Sequence, residues 1–223
     1  MSNSTTIKVF ISCPNDLDTE KKALIQFLRD YSQTTEEKYQ IRLQELTYEK
    51  DADRGDGRPQ EKANRLIDIC DIYLGMMAKR FGGSTGLFAS GTHEEFVYAR
   101  HRKEREGKPA IRFFFKKVAI DMDASEQEFE QAKKIRQFKN EIQGHFFWDN
   151  FTTKTDLIEK VKKELEKILK EWKPEIKREK IEPAEISEKE MLSNYINFLK
   201  REYSEIRIFQ DKSFLLKDIY VSL

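Results

Sequence analysis

Only two cysteines occur in the 223-residue chain, Cys13 and Cys70. Cys13 follows one predicted strand and Cys70 opens another, so in parallel neighbours they fall at opposite edges of one sheet. At ~3.3 Å per residue they stand ~17 Å apart, beyond disulfide reach, and two free thiols are expected. Histidine is equally scarce: His93, His101 and His145 are isolated from any Cys or His at ligand spacing, which leaves no zinc pattern. No apolar run approaches the ~18 residues of a bilayer span, and Met1 to Thr5 carries neither a basic nor an apolar signal region. A cytoplasmic chain with no membrane partner is expected. Excess charge of either sign is also lacking, with 41 Lys+Arg against 40 Asp+Glu. Direct nucleic-acid binding is therefore disfavoured as the main task, although a local basic groove is compatible with this balance. No Gly-x-x-x-x-Gly-Lys-Ser/Thr occurs, so any NTPase module lies beyond Leu223. Asp51-x-Asp53-x-Gly55 fails as a calcium loop, because its glycine comes one position early and Lys62 stands where the last ligand should be Glu. No metal centre is expected.

What remains is an alternation of short apolar runs and amphipathic stretches. Thr6 to Ser12 reads as a buried strand, and Leu17, Leu24, Leu28 and Tyr31 recur at helical spacing from Asp16 to Tyr31. Tyr39 to Leu46 alternates at period two, as an edge strand does. A helix bearing Ala63, Leu66, Ile67 and Ile69 follows, and Asp71 to Met77 is apolar on both faces, as suits a central strand. A loop from Arg80 to Gly86 precedes a helix from Thr92 to about Arg105. Ala110 to Phe115 is a further strand, Ser125 to Lys139 a charged helix, His145 to Trp148 the last strand, and Thr153 to Trp172 a closing helix. Such alternation predicts an α/β doubly wound parallel sheet with helices on both faces. The expected domain covers residues 1–173. Residues 174–186 form a charged linker, and 187–223 a helical and extended connector, with a helix from Ser187 to about Tyr203, towards a downstream module of a larger protein.

In such sheets ligands bind beyond the carboxyl ends of the strands, where strand order reverses. Three loops qualify: Ser12 to Asp16, Ala78 to Gly86, and Ser90 to Glu95. The third places Glu94 and Glu95 in the first turn of a helix, where the helix dipole favours the ionised carboxylate. An ionised carboxylate there can hold ribose hydroxyls and stabilise the oxocarbenium-like charge of a breaking N-glycosidic bond. The same residues also read as a capping box, Thr92-x-x-Glu95, in which Glu95 merely starts the helix. Ser12 and Asp16 at the first helix start are candidates for a ribose or phosphate, with a simple N-cap as the alternative for Asp16. Arg80 with Gly82 is a candidate for a pyrophosphate, and a solvated arginine is its alternative. Tyr73 reads as core, and His93 as a surface residue, with assistance of a proton transfer as its alternative.

Val9-Phe10-Ile11-Ser12 with Asp16-Leu17, then Asp71-x-Tyr73-x-Gly75, Arg80-Phe81-Gly82, Ser90-Gly91-Thr92-x-x-Glu95-Phe96-x-x-Ala99 and Gly107-Lys108-Pro109, resembles the TIR-like domains at the N-termini of NACHT and other STAND NTPase proteins. It also resembles nucleoside 2-deoxyribosyltransferases, whose Gly-Thr-x-x-Glu segment supplies a catalytic glutamate. The resemblance implies a flavodoxin-like five-stranded sheet of order 2-1-3-4-5. It further implies NAD+ as a substrate rather than a bound cofactor, hydrolysed at the nicotinamide-ribose bond on oligomerisation in a defence or cell-death protein. Glu95, or its neighbour Glu94, falls on the catalytic glutamate, and Ser12, Asp16, Tyr73, Arg80, Gly82, Ser90 and Thr92 would line the dinucleotide cleft. The implied partners are a second TIR-like copy and the NTPase or sensor modules downstream. Two other functions fit the same pattern: a non-catalytic homotypic signalling domain, and a nucleoside N-glycosidase or deoxyribosyltransferase. The lead-in Ser90-Gly91-Thr92-His93 departs from that of TIR enzymes.

Overall fold

Apolar side chains alternate along each inner strand, and this decides which helices cover which face. In β1 (Thr5–Ser12), Val9 and Ile11 point one way and Phe10 the other; β3 (Ile72–Met77) and β4 (Ala110–Lys116) repeat the pattern. The first face packs on α1 (Asp18–Tyr39) and α6 (Lys154–Ile176) through Leu24, Leu28, Val161 and Leu165. The second packs on α3 (Pro59–Ile69), α4 (Gly91–Glu106) and α5 (Glu126–Ile142) through Leu66, Ile67, Phe96, Phe138 and Ile142. Two apolar layers therefore sandwich one sheet. The computed structural model describes residues 4–52, 58–82, 90–119, 123–176, 205–207 and 213–215.

With the edge strands β2 (Ile41–Leu46) and β5 (Phe147–Phe151), the sheet is five-stranded, all parallel and ordered β2-β1-β3-β4-β5. This is the α/β flavodoxin-like arrangement. Central β3 is buried along its whole length, whereas β2 alternates buried and exposed residues as an edge requires. A short helix, α2 (Tyr48–Asp51), follows β2. The chain divides into two units, residues 1–177 and 178–223. In the second, β6 (Glu205–Arg207) and β7 (Ser213–Leu215) pair antiparallel. The helix expected from Ser187 to Tyr203 lies outside the described residues. Among the described residues no helix is long and apolar enough to cross a membrane.

Several element bounds differ from the sequence expectation, each for a local reason. Helix α1 begins at Asp18 rather than Asp16 and runs past Tyr31 to Tyr39, because its polar second half is tied down by tertiary hydrogen bonds. Ser32 Oγ accepts from the Leu43 N-H at 2.8 Å, and Thr35 Oγ1 donates to the Ile41 carbonyl at 2.8 Å, so the helix end is bonded to β2. Strand β2 consequently starts at Ile41, after Gln40 turns the chain in a left-handed conformation. The last strand is Phe147–Phe151 rather than His145 to Trp148. Its polar Asp149 and Asn150 pair with Phe114 and Phe115 of β4 as edge residues. Helix α6 continues past Trp172 to Ile176.

Gly75 is the tightest point of the sheet. It pairs with Ser12 on one side and Phe113 on the other, and a Cβ at this position would lie 2.2 Å from the Phe113 ring. The missing side chain is filled by that ring, which also packs on Phe96 and Phe138. Gly75→Ala is expected to lower stability by about 1 to 3 kcal/mol, the usual cost of overpacking a filled core. Denaturant unfolding checks this, and Gly75→Ala combined with Phe113→Leu should recover part of the loss.

Candidate functional site

Strand β1 has β2 on one side and β3 on the other, so the order reverses between β1 and β3, and their following loops diverge. A cleft of about 1050 Å³ opens there. Cys13 to Asp16 form one wall, Lys79, Arg80 and Gly82 another, and the start of α4 supplies Gly91, Thr92 and Glu95, the last of these one position past the first turn and not within it as expected, because the helix begins at Gly91. Gly82 needs to be glycine: its φ is +110°, and a Cβ would lie 2.8 Å from that of Ser90.

Glu95 is the centre of this arrangement. The expected Thr92 capping box does not form; instead Ser90 is the N-cap, its Oγ accepting from the His93 N-H at 3.0 Å. Helix α4 thus starts two residues earlier than expected for a Thr92 cap, and Glu95 is released from capping. Its carboxylate reaches across to the end of β1, where the Ser12 hydroxyl donates to it. Ser12 shares the strand face of Phe10, the face covered by α4, which is why the two meet. Gln60 of α3 also hydrogen-bonds Glu95 and donates to the Gly91 carbonyl at 3.3 Å. Protein crowds the carboxyl, yet part of its surface stays open to the cleft.

Electrostatics there run against the simple helix-dipole expectation. Burial raises the Glu95 pKa above the ordinary carboxylate value and outweighs the hydrogen bonds from Ser12 and Gln60, which act the other way. Lys21 favours the charged form as well, while Glu49, bound to Lys21 at 2.6 Å, opposes it. Burial also pushes the Cys13 thiol in the cleft wall up to about 12, so it stays protonated. Both cysteines are free thiols.

The remaining candidates separate clearly. Asp16 does not cap the first helix: its Oδ2 accepts from the N-H groups of Lys79 at 3.0 Å and Arg80 at 3.1 Å, latching the two loops together. Arg80, Gly82 and Thr92 line the cleft. Tyr73 does not; it is fully buried, with its hydroxyl bonded to Ser12 and 3.4 Å from the Thr92 carbonyl, so it supports the Ser12 side of the site from below. Ser90 is fully buried at the helix cap. Glu94 is buried with Arg58 4.0 Å away and lies outside the cleft lining. His93 packs between Phe81 and Phe138, and burial lowers its pKa. Sequence reasoning missed Gln60, Lys21 and the α5 residues Gln127, Glu128 and Gln131. Only the fold brings these elements to β1 and β3, and no local pattern marks them. Among the described residues no group of Cys, His, Asp and Glu is placed to hold a metal.

A family model, DUF4062, described as a domain of unknown function, matches residues 8–166. No curated protein matches the chain. Two similar solved structures are translation elongation factor SelB from Methanococcus maripaludis in complex with the GTP analogue GPPNHP, and its apo form. Each is 15% identical over 76% of this chain, with TM-scores of 0.45 and 0.44. The chain spans 35% and 34% of those proteins, about a third of their length.

Because burial raises the folded-state pKa of Glu95 above its unfolded value, the fold binds this proton more tightly than the unfolded chain does. Stability is therefore lost as pH rises from the unfolded to the folded pKa, and the cost persists above both. Glu95→Gln keeps a partner for Ser12 but carries no charge. It should raise the melting temperature near neutral pH, and the gain should vanish below about pH 4, where the wild-type carboxyl is protonated in both states. A scan of melting temperature against pH for both chains checks this.

Proposed function

The chain belongs to the DUF4062 family, and we propose that it is a TIR-like effector that hydrolyses the nicotinamide-ribose bond of NAD+ when copies are brought together. One observation carries the reading. Glu95 turns away from its own helix end and is held by Ser12 and Gln60 at the head of a cleft of about 1050 Å³, at the strand-order switch point. A buried carboxylate that faces open space costs stability and serves no packing purpose, which is the usual mark of a group kept for chemistry.

In this reaction the bond between ribose C1′ and the pyridinium nitrogen breaks, and its electron pair passes to nicotinamide, which leaves neutral. Positive charge develops on the ribosyl group. Ionised Glu95 stabilises that charge through space and accepts from ribose hydroxyls, strengthened by the low-dielectric surround. Water then adds to C1′ and releases a proton, giving ADP-ribose. Ser12 and Gln60 orient the carboxylate, and Arg80 offers a cation towards the diphosphate. Because the raised pKa lies closer to neutrality than that of an exposed glutamate, turnover should fall on mild acidification as Glu95 takes up its proton. A requirement for clustering by downstream NTPase or sensor modules of the same polypeptide, as in defence proteins, would restrain an activity that otherwise depletes the cell.

Incubating the chain, forced to oligomerise by a fused multimeric scaffold, with NAD+ tests this. Nicotinamide release is expected, with Glu95→Gln reducing it by about 100-fold or more and Glu94→Gln far less. No release from the clustered chain would leave a non-catalytic assembly domain. Release of free base from nucleosides but not from NAD+ would move the reading to a nucleoside N-glycosidase.

A further inference from the structure

A second concavity of about 950 Å³ lies at the carboxyl ends of β3, β4 and β5, beside α5. Five cationic side chains line it, Lys79, Lys116, Lys117, Arg136 and Lys139, against the single carboxylate of Glu128. That imbalance stands out in a chain whose net charge is +1. The cations are of two kinds. Lys116 is neutralised by Glu20 at 2.7 Å, and Lys139 is fixed to Asn150 Oδ1 at 2.6 Å with its ammonium 4.2 Å from the Trp148 ring centre. Lys79, Lys117 and Arg136 form no ion pair with a described residue, although other cations of this fold, such as Lys21, Arg29 and Arg112, do.

The cations are held close at a cost. Burial and the neighbouring Lys117 both lower the Lys139 pKa, only partly offset by Asp149, which itself lies 3.7 Å from Lys160. The Lys117 N-H bonds the Phe151 carbonyl at 2.7 Å, which fixes the strand exit from which its side chain projects. The α5 wall presents Glu128, Ala132, Arg136 and Lys139, at spacings of three and four that put them on one helix face. Small residues, Ala78, Ala119 and Ala132, leave room for a ligand to approach. Lys79 and Glu128 belong to both concavities, so the two are contiguous.

We propose that this basic cleft is the subsite for the diphosphate of the dinucleotide whose glycosidic bond lies at Glu95. The inference rests on the glycosidase reading for the identity of the rest of the ligand. Lys117, Arg136 and Lys79 neutralise phosphoryl oxygens with charge-assisted bonds, and Lys139 adds a pre-oriented donor. The subsite selects substrates that carry a diphosphate over simple nucleosides, which lack the group it binds.

Calorimetric titration of the 223-residue chain with ADP-ribose, and separately with inorganic tripolyphosphate, tests the subsite without turnover. Tripolyphosphate should bind, compete with ADP-ribose, and weaken steeply with added salt. Arg136→Gln and Lys117→Gln should each weaken both ligands by about tenfold, while Lys170→Gln, on the exposed side of α6, should not. Binding indifferent to Arg136→Gln and Lys117→Gln, or tripolyphosphate that binds without displacing ADP-ribose, overturns the proposal. The two readings fail separately. If no nicotinamide is released but the binding pattern holds, the anion subsite stands and the NAD+ reaction falls; if nicotinamide is released and both variants bind like wild type, the subsite falls alone.

Discussion

The contact between the Ser12 hydroxyl and the Glu95 carboxylate is the constraint on which this site depends. It joins the end of the second strand in the sheet order to the start of a helix 83 residues away, and each partner needs the other. Ser12 is almost completely buried and would be an unsatisfied hydroxyl without its bonds to Glu95 and Tyr73. Glu95 would be a desolvated charge with Gln60 as its remaining direct partner. Everything nearby supports this pairing: Ser90 takes over the helix cap, Gly75 lets Phe113 close the layer beneath, and Asp16 ties the flanking loops to each other. The result is a fixed carboxylate at the crevice where parallel sheets gather ligands.

Electrostatics extend the site beyond one residue. The Glu95 end of the crevice mixes Lys21, Glu49, Asp16 and Arg80, whereas the adjoining concavity is dominated by cations. A ligand cationic at one end and strongly negative further along would match this gradient, and NAD+, whose pyridinium ribose leads into a diphosphate, has that distribution. A balanced composition thus conceals a local separation of charge. Salt should matter more at the basic end, because exposed cations there are screened while the buried carboxylate is not.

The fold was legible because strand burial leaves a strong trace. Continuous apolar runs marked β1, β3 and β4, the alternating run marked β2, and apolar residues at helical spacing marked α1, α3 and α6. What was not legible has a common physical cause, namely polar residues whose partners are distant in sequence. Ser32 and Thr35 read as a helix ending, yet they are buried bonds to β2. Asp149 and Asn150 read as a strand ending, yet Asn150 holds Lys139 and the strand goes on to Phe151. At the site, Glu95, Ser12, Arg80 and the glycine-bearing loops were visible as types in suggestive places. Whether Glu95 capped its own helix or faced a cleft depended on Ser90, and no residue within that tetrapeptide decides it. Gln60 and the α5 wall came only from tertiary structure.

The most direct measurement is a carbon-13 NMR titration of the Glu95 side-chain carboxyl in the wild type and in Ser12→Ala. A buried carboxylate kept chargeable by Ser12 should titrate above the free glutamate value of about 4.3. Loss of the Ser12 hydrogen bond should raise the midpoint further. A midpoint at or below that of free glutamate, unmoved by Ser12→Ala, would contradict the account.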